Sequence, residues 1–132
     1  MKITPYLNFA GNCREAMTFY HSVFGGELEM TAHKDTPSAE HIPAEMQNQI
    51  MHAALTSSDG TLFASDAPMA QANSFSGVYL SVHPKTVEEA DRMFAALKDG
   101  GEVEMELEET FWAKRFGMLH DRWGVKWMFN VD

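Results

Sequence analysis

A short segment occurs twice in this chain, and that repetition constrains the fold more than any bulk property does. Phe24-Gly-Gly-Glu-Leu-Glu-Met30 closely matches Asp99-Gly-Gly-Glu-Val-Glu-Met105, and Phe19 matches Phe94 at the same offset. In both places an amphipathic helix is expected to end at a glycine pair and a strand to begin with Glu-x-Glu-Met. One packing solution is used twice.

The surrounding pattern fills in the two halves. Ile3 to Phe9 alternates as a strand, although Pro5 weakens its pairing. Asn12 and Glu15 have the spacing of a capping box, followed by a buried stripe of Ala16, Phe19, Tyr20, Val23 and Phe24. Glu27 to His33 reads as a strand, and Lys34 to Asn48 as a flexible loop with one short turn. Ile50 to Ser57 and Thr61 to Ser65 make a hairpin around Asp59-Gly60, a pair suited to positive backbone angles. Asp66 to Ser76, with Pro68, reads as a connector.

The second half restarts with a strand over Gly77 to His83, in which Val78, Leu80 and Val82 alternate with Tyr79 and Ser81. Thr86 and Glu89 repeat the capping spacing, and Val87, Ala90, Met93, Phe94 and Leu97 form the apolar face of the next helix. Glu106 to Ala113 is expected to cross irregularly. Lys114 to His120 and Val125 to Val131 form a last hairpin, with Trp127 and Phe129 in the core. The fold class is α+β, a single domain over 1–132 built from a half module over 1–66 and another over 75–132. Each is a strand, a helix and three strands, and pairing the halves is the economical way to bury their sheet faces.

Composition narrows the function classes. The 132 residues are 45% hydrophobic and 22% charged, with 10 Lys plus Arg against 19 Asp plus Glu, a formal net charge of -9. Such acidity repels polyanions, and no basic run offsets it, so nucleic acid is not an expected partner. No apolar run is long enough to cross a bilayer, and Met1 to Pro5 offers no secretory signal core, so no membrane partner is expected and the cytoplasm is the expected location. Cys13 is the one cysteine, which excludes an intrachain disulfide and a thiolate-rich metal cluster.

The chain resembles the PhnB-like branch of the vicinal-oxygen-chelate superfamily, with its glyoxalase, bleomycin-resistance and extradiol-dioxygenase proteins. The residues that carry the likeness run almost from end to end. They are Tyr6-Leu-Asn-Phe9, Asn12-Cys-Arg-Glu-Ala16, Phe19-Tyr20, Phe24-Gly-Gly26, Met51-His-Ala53, Ser65-Asp66 and Gly100-Gly101, then Glu109-Thr-Phe-Trp-Ala113, Arg115-Phe-Gly117 and Asp121-Arg-Trp-Gly-Val125. The resemblance implies two βαβββ modules forming a curved mixed sheet around a small-molecule cavity, commonly in a homodimer. It also implies a divalent metal in the enzymes, acting as a Lewis acid. The positions it assigns to metal ligands fall near Thr4, Ala54, Gly77 and Met128, none of which supplies an imidazole or a carboxylate. The usual glyoxalase metal set is therefore expected to be missing, although a divalent cofactor at another set of residues stays open. A methyltransferase activity gains no support, because no glycine-rich nucleotide-binding βαβ signature is present.

Candidate ligand-binding residues follow from face and chemistry. Tyr6 and Asn8 share the polar face of the first strand, and Tyr79 and Ser81 the equivalent face in the second half. His52 is a ligand or proton acceptor, or else a structural hydrogen-bonding histidine. Trp112 and Arg115 lie in the densest aromatic and cationic stretch, which either lines a pocket or forms a dimer contact. Glu104 and Glu106 share a strand face with Glu102 behind them, an acid–base pair or an ordinary solvated surface. His120 is expected to join a local network with Asp121, and Cys13 to be a small buried residue. No catalytic residue is singled out. The expected function is binding of a small molecule without the usual metal. A divalent-metal-dependent lyase, isomerase or dioxygenase and a structural or interaction homodimer are the alternatives.

Overall fold

The computed structural model describes residues 1–67 and 75–132. It divides into two compact units, Met1–Asn73 and Ser74–Asp132. Most of the expected connector, Pro68 included, lies outside the described residues.

The first unit runs β1 (Tyr6–Phe9), α1 (Cys13–Phe24), β2 (Glu27–Ala32), three 3-10 turns, β3 (Ile50–Ser57) and β4 (Gly60–Asp66). Its sheet has the order β1-β4-β3-β2, with β1 and β4 parallel and the other pairs antiparallel. Leu7, Phe9, Ala53, Leu55, Leu62 and Ala64 alternate onto one face and are buried, and so is the α1 stripe of Cys13, Ala16, Met17, Tyr20 and Val23. Phe19 and Phe24, expected in that stripe, are only half-buried. They sit on its margins, and Met17 takes the central place instead.

The second unit repeats the plan with β5 (Leu80–Val82), α2 (Val87–Lys98), β6 (Glu102–Glu108), β7 (Arg115–His120) and β8 (Lys126–Val131). Its order is β5-β8-β7-β6, again with its first and last strands parallel. Leu119, Trp127, Phe129 and Val131 are buried, as are Ala90, Met93, Phe94 and Leu97 of α2. The rings of Phe94 and Phe129 meet edge to face at 5.6 Å, one of the favoured aromatic geometries. Two βαβββ modules in an α+β chain are thus what the repeat encodes.

The repeated glycine pair has a steric reason. A Cβ on Gly26 would lie 2.6 Å from the carbonyl oxygen of Thr56, and one on Gly101 would collide with the carbonyl oxygen of His120. In each module the second glycine lets the strand after the helix approach its neighbour's backbone.

Several local expectations are corrected. Asn12 makes no side-chain cap; Asp66, at the end of β4, accepts the Cys13 N–H at 2.9 Å and the Ile50 N–H at 2.9 Å. A buried carboxylate with two backbone donors replaces the local capping box. Thr86 does cap α2, accepting from the Glu89 N–H at 3.1 Å. The loop over 34–48 holds three 3-10 turns, His33–Asp35, Ala39–His41 and Ala44–Met46. Gln47 braces it, donating from Nε2 to the carbonyls of Ala39 and Ile42.

The β3–β4 turn consists of Ser58 and Asp59, because Ser57 already pairs with Gly60, which opens the strand without a positive φ. β1 begins only at Tyr6, leaving Ile3 exposed, and the strand expected over 77–83 shrinks to Leu80–Val82. Gly77 adopts a φ of 84°, a left-handed angle that interrupts the strand, and Val78 is exposed. β6 extends through Glu106 to Glu108, with register shifts that absorb its irregularity.

Candidate functional site

In each module α-helix covers one sheet face, and the side chains that alternate away from it form a second, more polar face. In the first unit the register places Tyr6, Phe63, Ala54 and Glu29 in one row across the sheet. Asn8 pairs with Ser65, and Thr31 with His52. This opposite face brings Tyr6, Asn8 and His52 together.

The central contact is a hydrogen bond of 3.0 Å between Tyr6 Oη and His52 Nδ1. The two rings are 5.6 Å apart, and Phe63 lies 5.0 Å from the His52 ring and 6.1 Å from Tyr6. Beside them Ser65 Oγ donates to Asn8 Oδ1 at 3.3 Å. Phe63 was absent from the candidates because an apolar residue in a strand reads as core; only the register shows it on the polar face. Tyr6 keeps 47% of its surface exposed, so this aromatic group is accessible rather than sealed.

In the second unit Tyr79 donates to Glu104 Oε1 at 2.5 Å. Lys126 Nζ stands 3.4 Å from Glu104 Oε2 and 5.1 Å from the centre of the Tyr79 ring. His120 stands between two carboxylates, with Nδ1 3.5 Å from Glu104 and Nε2 3.6 Å from Glu102. Bonding to the Glu104 carboxylate raises the Tyr79 phenol above its ordinary pKa. The same bond holds Glu104 below the usual carboxylate range, against a burial effect and with help from His120 and Lys126. For Lys126 burial opposes the charge, but Glu104 overrides it and leaves the pKa raised. Glu104 belongs to this mixed-charge group, and the sequence reading missed both Tyr79 and Lys126 as its partners. Its nearest signal was the strand alternation that places Tyr79 and Ser81 on one face.

Ser81 bonds His83 through Oγ and Nε2 at 3.0 Å. In the register Ser81 pairs with Met128, Met128 with Met118, and Met118 with Met105, a methionine row across the polar face. Trp112 and Arg115 part company. The Trp112 ring meets Phe111 at 4.9 Å and Phe116 at 5.3 Å, with Phe111 97% exposed. Arg115 turns to α2, where its Nε lies 3.5 Å from Asp91. His120 and Asp121 also diverge. Asp121 is buried, accepting from the Trp123 N–H at 2.9 Å, the Val125 N–H at 3.0 Å and Trp127 Nε1 at 2.9 Å. Cys13 is buried, and desolvation, aided by Asp66, pushes its thiol up to about 12.

The metal set implied by the resemblance does not fit these residues. Ala54 and Met128 lie on the polar faces and Gly77 in a turn, and none has a strong oxygen or nitrogen donor in its side chain. Among the described residues no group of three or more His, Cys, Asp or Glu is placed to hold a metal ion. The nearest carboxylate, imidazole and carboxylate grouping, Glu102, His120 and Glu104, already includes the ammonium of Lys126. No described helix is long and apolar enough to cross a membrane.

Comparison with known proteins agrees with the architecture. A family described as 3-demethylubiquinone-9 3-methyltransferase matches residues 1–129. Protein YjdN of Escherichia coli is 39% identical over 99% of the chain and 95% of its own length. The crystal structure of protein PA1353 from Pseudomonas aeruginosa superposes with a TM-score of 0.88 at 44% identity, covering 100% of this chain and 98% of that one. A PhnB protein from Bacillus cereus, also named for 3-demethylubiquinone-9 3-methyltransferase, superposes with a TM-score of 0.80 at 26% identity over 100% of both chains.

Proposed function

Because the chain belongs to the 3-demethylubiquinone-9 3-methyltransferase family, the PhnB-like branch of the vicinal-oxygen-chelate superfamily, we propose that it binds a small molecule in the cytoplasm without the glyoxalase metal set. The observation that carries this reading is the polar face of each module. Tyr6, His52 and Phe63 on one, and Tyr79, Glu104 and Lys126 on the other, form partnered groups of aromatic and hydrogen-bonding side chains. Aromatic side chains beside a few placed polar groups are the usual lining of a small-molecule site.

Methyl transfer, the activity in the family's description, gains no support from the described sheets. Each sheet has a single parallel strand pair, unlike the doubly wound sheet that holds a nucleotide-type cofactor at glycine-rich turns. The exposed Phe111 and Trp112 support a further part of the reading, that the protein works as a homodimer.

The test is native mass spectrometry of the gently purified full chain, with extraction of any retained compound and elemental analysis for metals. An organic compound near one per chain, with no matching metal, is the expected result. A stoichiometric divalent ion would transfer the assignment to the metal-dependent reading. A chain that retains nothing and is stabilised by no compound in a broad metabolite screen would overturn the binding function.

A further inference from the structure

We infer that the first module's polar face recognises a planar aromatic ring bearing an oxygen acceptor, with His52 Nε2–H as the donor and Phe63 as the ring contact. This inference rests on the small-molecule reading above and names the class of ligand for one face.

The argument begins with the bond between Tyr6 Oη and His52 Nδ1 at 3.0 Å. A phenol is a stronger donor than acceptor, and the bare nitrogen of a neutral imidazole is a strong acceptor, so the hydroxyl proton points to Nδ1. The imidazole proton then resides on Nε2, because the hydrogen bond at one ring nitrogen fixes the tautomer at the other. Among the described residues no other hydrogen bond reaches the His52 imidazole. The ring is half-buried, and its donor edge is left for a partner from outside the module.

The apolar side of the site is equally defined. Tyr6, His52 and Phe63 are separated by 5.6, 5.0 and 6.1 Å, with Phe63 edge-on to both of the other rings. A flat ring extends such an aromatic set through edge or offset contacts, whereas a saturated ring of the same size gains contact area only. Asn8 supports the same polarity. Its Oδ1 is occupied by Ser65 Oγ, so the side chain presents its amide hydrogens, a second donor near the row. Donors beside an aromatic set select an oxygen acceptor on a planar ring. Tyr6 is a positioning residue here, acting through His52.

The experiment is an NMR titration of the full chain with three matched probes: acetophenone, cyclohexyl methyl ketone and ethylbenzene. Imidazole nitrogen spectra of the free protein should show His52 as the Nε2–H tautomer, and Tyr6→Phe should give a tautomer mixture in a folded protein. Acetophenone is expected to shift His52 and Phe63 signals and to bind about tenfold more tightly than either other probe, as loss of one good contact predicts. Tyr6→Phe and Phe63→Leu should each weaken it by about threefold to tenfold. Equal binding of the three probes, no binding of acetophenone, or an Nδ1–H tautomer in the wild type would overturn the inference. If the purified protein retains an aliphatic compound, or one that shifts only second-module signals, this inference fails while the general binding function stands.

Discussion

Tyr79 and Glu104 share a hydrogen bond of 2.5 Å in which the phenol donates to the carboxylate, with Lys126 on the other carboxylate oxygen at 3.4 Å. The geometry favours one protonation pattern: neutral phenol, ionised carboxylate and charged ammonium. Glu104 has a lowered pKa, so its contribution to stability is present above its unfolded value and is lost as pH falls through its folded one. Tyr79 and Lys126 have raised values, so theirs is present below their unfolded values and is lost as pH rises through the folded ones. Ultraviolet titration of wild type against Tyr79→Phe should place this phenol above the usual range, and Glu104→Gln should return it toward that range. A Tyr79 titration indifferent to Glu104→Gln would refute the coupling.

Asp121 supplies the second prediction. Its carboxylate serves two backbone N–H groups and the Trp127 indole inside the β7–β8 turn. Asp121→Ala leaves three donors without their acceptor, and the expected loss is about 3–5 kcal/mol in urea unfolding. Asp121→Asn keeps a single side-chain oxygen acceptor and should lose less. A change under about 1 kcal/mol for the alanine variant would show that water replaces the carboxylate there.

The glycine pair makes a third case. The Cβ of Gly101→Ala would run into the His120 carbonyl and stand 2.8 Å from the Asp121 Cα, both backbone atoms that cannot rotate away. The β6 strand must then shift, at a cost of about 1–3 kcal/mol by the usual scale of overpacking. Thermal unfolding measures it, and an unchanged midpoint would mean that the close approach is dispensable.

Cys13 gives the fourth. The thiol is pushed from 9.0 to about 12 by burial, with Asp66 adding to the effect. Because its folded pKa is raised, the folded state is favoured fully below 9.0 and loses this advantage as pH rises toward about 12. Cys13→Ala should therefore flatten the alkaline decline of stability in that window. In the native protein a thiol-specific disulfide reagent should react only after unfolding. Rapid modification at pH 8 without loss of structure would contradict the burial.

The repeat, both helices and the last hairpin were legible from the chain because their signals are local. Glycine pairs, apolar stripes and the alternation of Trp127 with Phe129 need only near neighbours. The capping of α1 was not, since Asn12 has the right residue type and spacing while the acceptor is Asp66, far along the sequence and brought close by parallel pairing of β1 with β4. The candidate site divides in the same way. Strand alternation nominates Tyr6, Asn8, Tyr79 and Ser81, and imidazole chemistry nominates His52, but Phe63, Glu104 and Lys126 become their neighbours only through cross-strand register. Arg115 shows the limit of reading composition along the chain. Beside Trp112 it suggested either a pocket lining or a dimer contact, and nothing along the chain announces the Asp91 of α2 that its guanidinium meets.

The adjacency of β1 with β4, and of β5 with β8, also bears on how the protein is made. On the ribosome, β2, β3 and β4 can zip together as successive hairpins, while β1, synthesised first, waits for a neighbour that emerges last. The nascent chain therefore carries an unpaired strand through most of each half's translation, and long-range pairings of this kind form slowly. A pause or truncation just before β4 or β8 would leave that early strand free to join another chain.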